Sequence, residues 1–173
     1  VDEAYYEYVT DPNYDTMIPL VTEYENVVVT RTASKVHGFA GIRVGFGFGS
    51  PKMLAKIQSL MTGSINGPAM FGAIASYKDK EYMDFVVRKN NEALQVLYDL
   101  FEKHNVRHIK ANANFTFFET GIEIEEVQQR FLKYGILMSR AFPPFTKWAR
   151  ISMSKPEDMK YFAEVYEKEF VNS

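Results

Sequence analysis

The 173-residue sequence predicts an α/β chain in two parts, a pair of strands joined through a glycine-rich turn and then a smaller α/β domain. Three observations carry that expectation. The β-branched run Val27-Val28-Val29-Thr30 precedes a second strand-like segment, Arg43-Val44-Gly45-Phe46-Gly47-Phe48-Gly49, in which glycine alternates with larger residues. Apolar residues then recur at helical intervals from about residue 69 to residue 104. From Arg107 onward, strand-like and helix-like segments alternate, which is the pattern of an α/β domain.

Taken in order, residues 1–9 read as the tail of a strand, broken by the turn residues Asp11-Pro12-Asn13 before a surface loop. Residues 26–31 form a buried strand on their composition, and they deliver Ser34 and Lys35 just past its end, where sites lie in open α/β sheets. Residues 43–49 read as a strand with one face pressed against another backbone. As a dinucleotide fingerprint that segment fails, because the third glycine is misplaced and no helix with a ribose-binding acid follows. Ser50-Pro51 starts a helix, Ser as N-cap and Pro at the first position, expected to run through Leu54, Ile57, Leu60 and Met61. Asn66-Gly67-Pro68 interrupts it. One long amphipathic helix is expected from about residue 69 to residue 104, then a strand at 107–119, a helix at 124–134, strands at 136–139 and 149–153, and a closing helix at 155–170. The domain boundary is expected between residues 72 and 73.

Composition excludes several classes. With 46% apolar residues and a net charge of −2, the chain is core-forming and globular. Lys and Arg are spread along it, so no basic stripe suits nucleic acid. No apolar run approaches the ~20 residues that span a bilayer. The chain holds no Cys, which excludes disulfides and suits a reducing compartment. His104 and His108 read as solvated residues, and no spacing of His, Cys and carboxylates suggests a metal.

Chemistry concentrates around Lys35, in Arg31-Thr32-Ala33-Ser34-Lys35-Val36-His37-Gly38-Phe39-Ala40-Gly41-Ile42-Arg43. An amine, a hydroxyl, guanidiniums and flexible glycines stand close together there. Such a set suits an aldehyde cofactor that carries a phosphate, because a lysine flanked by cations becomes a nucleophile toward carbonyls. The pattern Ser-Lys-x-x-Gly-x-x-Gly-x-Arg resembles the lysine segment of fold-type I pyridoxal-phosphate (PLP) enzymes, and Arg-Thr-x-Ser-Lys resembles the histidinol-phosphate aminotransferase branch. Three further segments resemble that family: Val1-Asp2-Glu3-Ala4-Tyr5, Ala113-Asn114-Phe115, and Trp148-Ala149-Arg150-Ile151-Ser152 followed by Pro156-Glu157-Asp158-Met159.

The resemblance implies the C-terminal portion of the family's large domain, with a mixed sheet, over residues 1–72, and a small α/β domain over 73–173. It implies PLP as cofactor, held as a Schiff base on Lys35, with Asp2 at the pyridine nitrogen, Tyr5 at the ring oxygen, and Ser34 and Arg43 at the phosphate. Arg150, and less directly Arg140, would bind the anionic group of the substrate. Lys35 would be the catalytic base, and His37 a packing or supporting residue. The partners implied are an amino donor (an amino acid or histidinol phosphate), a 2-oxo acid acceptor and a second copy in a homodimer in the cytoplasm. An aromatic or broad-specificity aminotransferase, a related PLP decarboxylase and a non-catalytic aminotransferase-like module are the alternatives. The family's phosphate-cupping loop and ring-stacking residue have no counterpart here, so the chain is expected to be the C-terminal part of a longer enzyme and inactive alone.

Overall fold

The computed structural model describes residues 1–171. The chain divides into two compact units, Val1–Val87 and Arg88–Ser173.

In the first unit, β1 (Val28–Thr32) and β2 (Gly45–Gly49) pair antiparallel, with Arg31 opposite Phe46 and Thr32 opposite Gly45. The strand expected at residues 1–9 is reduced to a lone parallel bridge between Asp2 and Thr30. Hydrogen bonds from the Glu3 amide to the Thr30 carbonyl (2.8 Å) and from the Thr30 amide to the Val1 carbonyl (2.9 Å) make it. The chain then coils into a 3-10 turn at Tyr6–Tyr8, so the pairing cannot extend. Parallel and antiparallel partners on β1 together give the mixed pairing that the sequence implied. Backbone crowding falls at Gly45, where a Cβ would sit 3.0 Å from the Arg31 carbonyl oxygen, whereas Gly47 opens onto space.

The helix α1 (Pro51–Ser59) begins as expected, with Ser50 Oγ accepting from the Met53 amide at 3.3 Å. It stops before Leu60, which is 76% exposed; α1 buries no residue, so no core face favours another turn. The single long helix of the sequence reading is two helices, α2 (Gly67–Lys78) and α3 (Lys80–Lys103). Asp79 separates them at φ −84°, ψ 78°, and its carboxylate accepts from the Tyr82 amide at 2.9 Å. That is a helix start written in an Asp, invisible to apolar periodicity. The first compact unit runs to Val87 and holds α2 in its core: Ala69 and Ala73 pack with Ala33 and Val44, flanked by Phe39, Phe46 and Tyr77.

The second unit contains β3 (His108–Ile109), β4 (Phe115–Glu119) and β5 (Trp148–Ser152), antiparallel in the order β3-β4-β5. The expected strand at 107–119 is therefore a hairpin. Its loop is pinned by the Ala111 amide donating to Tyr98 Oη (2.8 Å) and by Thr116 Oγ1 donating to the Ile109 carbonyl (2.8 Å). The segment 136–139 joins no sheet; Gln128 Nε2 instead takes its Ser139 carbonyl at 2.8 Å. Two helices, α4 (Ile124–Leu132) and α5 (Pro156–Tyr166), complete the unit. Strand alternation turns Phe118, Ala149 and Ile151 into a core with Leu97, Phe101, Phe131 and Phe162. Phe131 and Phe162 stack at 4.8 Å, and Phe101 and Phe118 at 4.7 Å. The same alternation sends Phe115, Phe117, Trp148 and Arg150 to the other face.

Candidate active site

Lys35 lies in the turn that leaves β1, half-buried. The turn closes through hydrogen bonds from the Gly38 amide to the Lys35 carbonyl (3.0 Å) and from the Phe39 amide to the Ala33 carbonyl (2.8 Å), and Gly38 takes φ 71°, a left-handed geometry that glycine adopts without cost. The ammonium of Lys35 stands 4.8 Å from the centre of the Tyr5 ring and makes no hydrogen bond or ion pair among the described residues. Two sequence-predicted residues thirty positions apart are thus in contact.

The other residues read from the sequence in this unit have partners of their own. Asp2 Oδ1 accepts from the Ala4 amide (3.1 Å) and from Thr30 Oγ1 (3.3 Å). Ser34 Oγ lies 2.9 Å from Thr32 Oγ1, and its amide donates to that hydroxyl at 3.1 Å. Arg43 is exposed, donates to the Ala40 carbonyl at 2.8 Å and sits at φ 61°, ψ 56°. A side chain other than glycine in that region costs about 1–3 kcal/mol and is tolerated mainly at functional sites.

The sequence reading treated Arg31 as a cation acting on Lys35; the structure gives it another partner. Arg31 Nε and Nη2 donate to Glu3 Oε2 at 3.0 and 2.9 Å, and its guanidinium lies 3.8 Å over the Tyr6 ring. Glu3, only 2% exposed, also accepts from Thr16 Oγ1 (2.8 Å) and the Met17 amide (2.6 Å). Burial pushes its carboxyl up, but those donors together outweigh burial and hold it below the ordinary carboxylate range. Glu3 was missed because an acid beside Asp2 in a polar stretch carries no periodic signal.

His37 is buried, its Nδ1 2.9 Å from Ser76 Oγ and its ring 3.9 Å from that of Tyr77. Burial lowers its pKa against the opposing Ser76 bond. It packs α2 onto the lysine turn, the supporting role expected for it.

In the second unit, Arg150 projects from β5, opposite Phe117 of β4. Its guanidinium lies 5.1 Å from the Phe115 ring centre and 5.5 Å from that of Phe142, and its Nε is buried without a hydrogen-bond partner. It forms no salt bridge among the described residues. Arg150 lines two cavities. One, of about 640 Å³, is walled by Phe115, Phe117, Phe142 and Phe145; the other, of about 610 Å³, by Ser139, Ser152, Ser154 and Asp158. Arg140 is exposed, donates to the Ala141 carbonyl (3.0 Å), stacks 4.5 Å from the Phe142 centre and lines neither cavity. His104 and His108 are less solvated than expected: His104 Nε2 lies 2.8 Å from Glu167 Oε1, and His108 stacks on Tyr98 at 5.3 Å.

Fold and site together define an α/β chain with an amine at the exit of a strand and a guanidinium on a second sheet, neither in a salt bridge among the described residues. The chain belongs to the aminotransferase class I and II family, whose model matches residues 1–165. It is 35% identical over 139 residues to histidinol-phosphate aminotransferase of Geobacillus sp. (strain WCH70), covering 80% of this chain and 38% of that protein. It is 33% identical over 167 residues to that of Bacillus licheniformis, covering 94% and 45%. A solved structure from Erwinia carotovora atroseptica SCRI1043, named as a candidate histidinol-phosphate aminotransferase, superposes with TM-score 0.93 at 31% identity, over 97% of this chain and 49% of that one. The chain thus spans about half the length of the relatives it matches.

Proposed function

We propose that the full-length protein carrying this chain is a PLP-dependent aminotransferase of the histidinol-phosphate aminotransferase type. It moves an amino group between an amino acid or histidinol phosphate and a 2-oxo acid. The observation that carries the reading is the Lys35 amine over the Tyr5 ring, free of hydrogen bonds and ion pairs among the described residues, inside the Ser34-to-Arg43 segment. The names of the relatives support it, and a neighbour of the same fold, histidinol-phosphate aminotransferase of Sinorhizobium meliloti at 22% identity, was solved with pyridoxal-5'-phosphate. The donor set fits that group: an amine for its aldehyde, a hydroxyl and a guanidinium for its phosphate, a carboxylate and a phenol for its ring.

Bound there, PLP supplies an aldehyde carbon and a ring that withdraws electrons from the substrate carbon. Asp2 would hold the ring nitrogen, its carboxylate favouring the protonated pyridine by charge pairing. Tyr5 donates to the ring oxygen. Ser34 donates one bond to the phosphate, and Arg43 adds a charge-assisted pair. Lys35 would hold the aldehyde through its amine and, as a free amine, would take and return the proton of the substrate carbon at Nζ. Arg150 orients the substrate through its carboxylate or phosphate, with Arg140 next to it on the Phe142 ring.

The four phenylalanines that line a cavity with Arg150 favour a second reading, an aminotransferase for aromatic amino acids, because such walls suit a flat apolar side chain. A homodimer in the cytoplasm, working in histidine biosynthesis, completes the first reading. In the first unit Leu60, Met61, Ile65 and Phe71 are exposed, an apolar surface of the kind that a second copy covers. Among the described residues no helix is long and apolar enough to cross a membrane.

Borohydride reduction of the full-length protein with PLP, followed by peptide mapping, tests the reading. The cofactor mass is expected on Lys35, and Lys35→Ala should abolish turnover with the fold retained. A label on another lysine overturns the assignment.

A further inference from the structure

The buried acid beside Asp2 has no role in the chemistry described so far, yet it is the most heavily bonded carboxylate of the first unit. Its two oxygens accept from four donors on two separate pieces of chain: Thr16 Oγ1 and the Met17 amide on one, and Nε and Nη2 of Arg31 on the other. Arg31 is fixed from three sides, by Glu3, by Thr16 Oγ1 at 2.9 Å and by the Tyr6 ring at 3.8 Å. The Glu3 side chain is fully buried and that of Arg31 16% exposed, so solvent competes little for these bonds.

Position makes the pair more than a structural bridge. Arg31 belongs to β1, the strand that delivers Lys35, whereas Glu3 belongs to the segment that carries Asp2 and Tyr5. That segment meets β1 at the Asp2–Thr30 bridge. The next residue pair along, Glu3 with Arg31, adds a buried charge-assisted contact in which Nε and Nη2 both donate to Glu3 Oε2.

We propose that Glu3, through Arg31, is a positioning residue that sets where Asp2 and Tyr5 stand relative to Lys35, and so tunes the cofactor instead of touching it. The inference rests on the reading of Asp2, Tyr5 and Lys35 as PLP-binding residues. Glu3→Gln keeps the volume and one acceptor but places an NH₂ against the donors. The segment bearing Asp2 and Tyr5 then loses its charged tie to β1 without losing either residue.

Three full-length proteins decide the matter: wild type, Glu3→Gln, and the double variant Glu3→Met with Arg31→Met. In the double variant an apolar pair replaces a buried ion pair, an exchange often neutral for stability. The measurements are PLP affinity by fluorescence quenching, the visible absorbance of bound PLP across a pH titration, and the thermal midpoint without PLP. Both variants are expected to bind PLP about tenfold more weakly, the scale of one lost charge-assisted bond, and to shift the pH midpoint of the visible band. The double variant should do so with its apo thermal midpoint near wild type, which a purely structural role would not produce. Wild-type affinity and an unmoved pH midpoint in a folded double variant overturn the positioning role. Failure of wild type itself to bind PLP would sink the parent reading, an outcome distinguishable because it precedes any comparison of variants.

Discussion

Replacing Arg150 by alanine should separate binding from stability, and the direction of each effect follows from its surroundings. The guanidinium is held by the faces of Phe115 and Phe142 at 5.1 and 5.5 Å, contacts of about 0.5–1 kcal/mol each where partly exposed. Against that, its Nε is buried with no acceptor, a defect that costs about 1–3 kcal/mol. The two nearly cancel, so Arg150→Ala should change the stability of the second unit by no more than about 1 kcal/mol. Binding behaves otherwise. A substrate carboxylate or phosphate that satisfies the guanidinium contributes about 1.5–3 kcal/mol, so its loss should lower kcat/KM for anionic donors by about tenfold to a hundredfold. Lysine at this position should restore only part, since it lacks the planar two-point fork. The assays are kcat/KM for several anionic donors on full-length protein, with urea denaturation of the same variants. An unchanged kcat/KM for every anionic donor, or a stability loss above about 2 kcal/mol, would refute the reasoning.

Other substitutions test the surrounding structure. Because the Glu3 pKa lies below its ordinary 4.5 in the folded chain, its stabilising contribution is complete above that value and disappears as pH falls through the folded pKa. Glu7, which burial pushes the other way, contributes the opposite slope and stays in place. Glu3→Gln should therefore flatten the loss of urea resistance on acidification, and an unchanged acid profile would count against the pairing. Tyr77→Phe removes a hydroxyl that is buried without a partner and whose pKa burial raises to about 12; the thermal midpoint should hold or rise, and a loss above about 1 kcal/mol would show an unseen partner. Phe118→Ala empties a fully buried position stacked on Phe101 and should cost about 3–5 kcal/mol, which a urea titration of the second unit would read; a cost below about 1 kcal/mol would contradict the packing.

The elements legible in the sequence were those whose signal is local. Ser50-Pro51 marks α1 because a cap and a proline act on the residues beside them, and the Val27-Val28-Val29 run marks β1 because branching stiffens each residue in place. Elements decided by partners escaped. Residues 107–119 have the composition of one strand, yet Tyr98 and Thr116 fold them into a hairpin through hydrogen bonds that composition does not encode. Residues 136–139 are as apolar as a strand but find Gln128 in place of a ladder. The helix break at Asp79 was written in the sequence as an Asp three residues before an amide it caps, and it was hidden by apolar spacing that runs through it.

The candidate site follows the same division, with one consequence for how such sites are read. Lys35, Asp2, Tyr5 and Arg43 were nameable because each offers a group a ligand would need, and the resemblance supplied their roles. Glu3 offers nothing to a ligand, being consumed by Arg31, Thr16 and Met17. Its importance exists only once the fold joins residues 3, 16 and 31, which lie far apart in sequence. Arg31 illustrates the point from the other side: a cation four residues before the lysine invites an electrostatic role, and the structure spends its charge on a buried carboxylate instead. Sequence proximity ranks charges by distance along the chain, whereas their effect depends on who neutralises them first. Groups that a ligand would need are therefore the legible part of a candidate site, and the contacts that fix neighbouring residues are legible only in three dimensions.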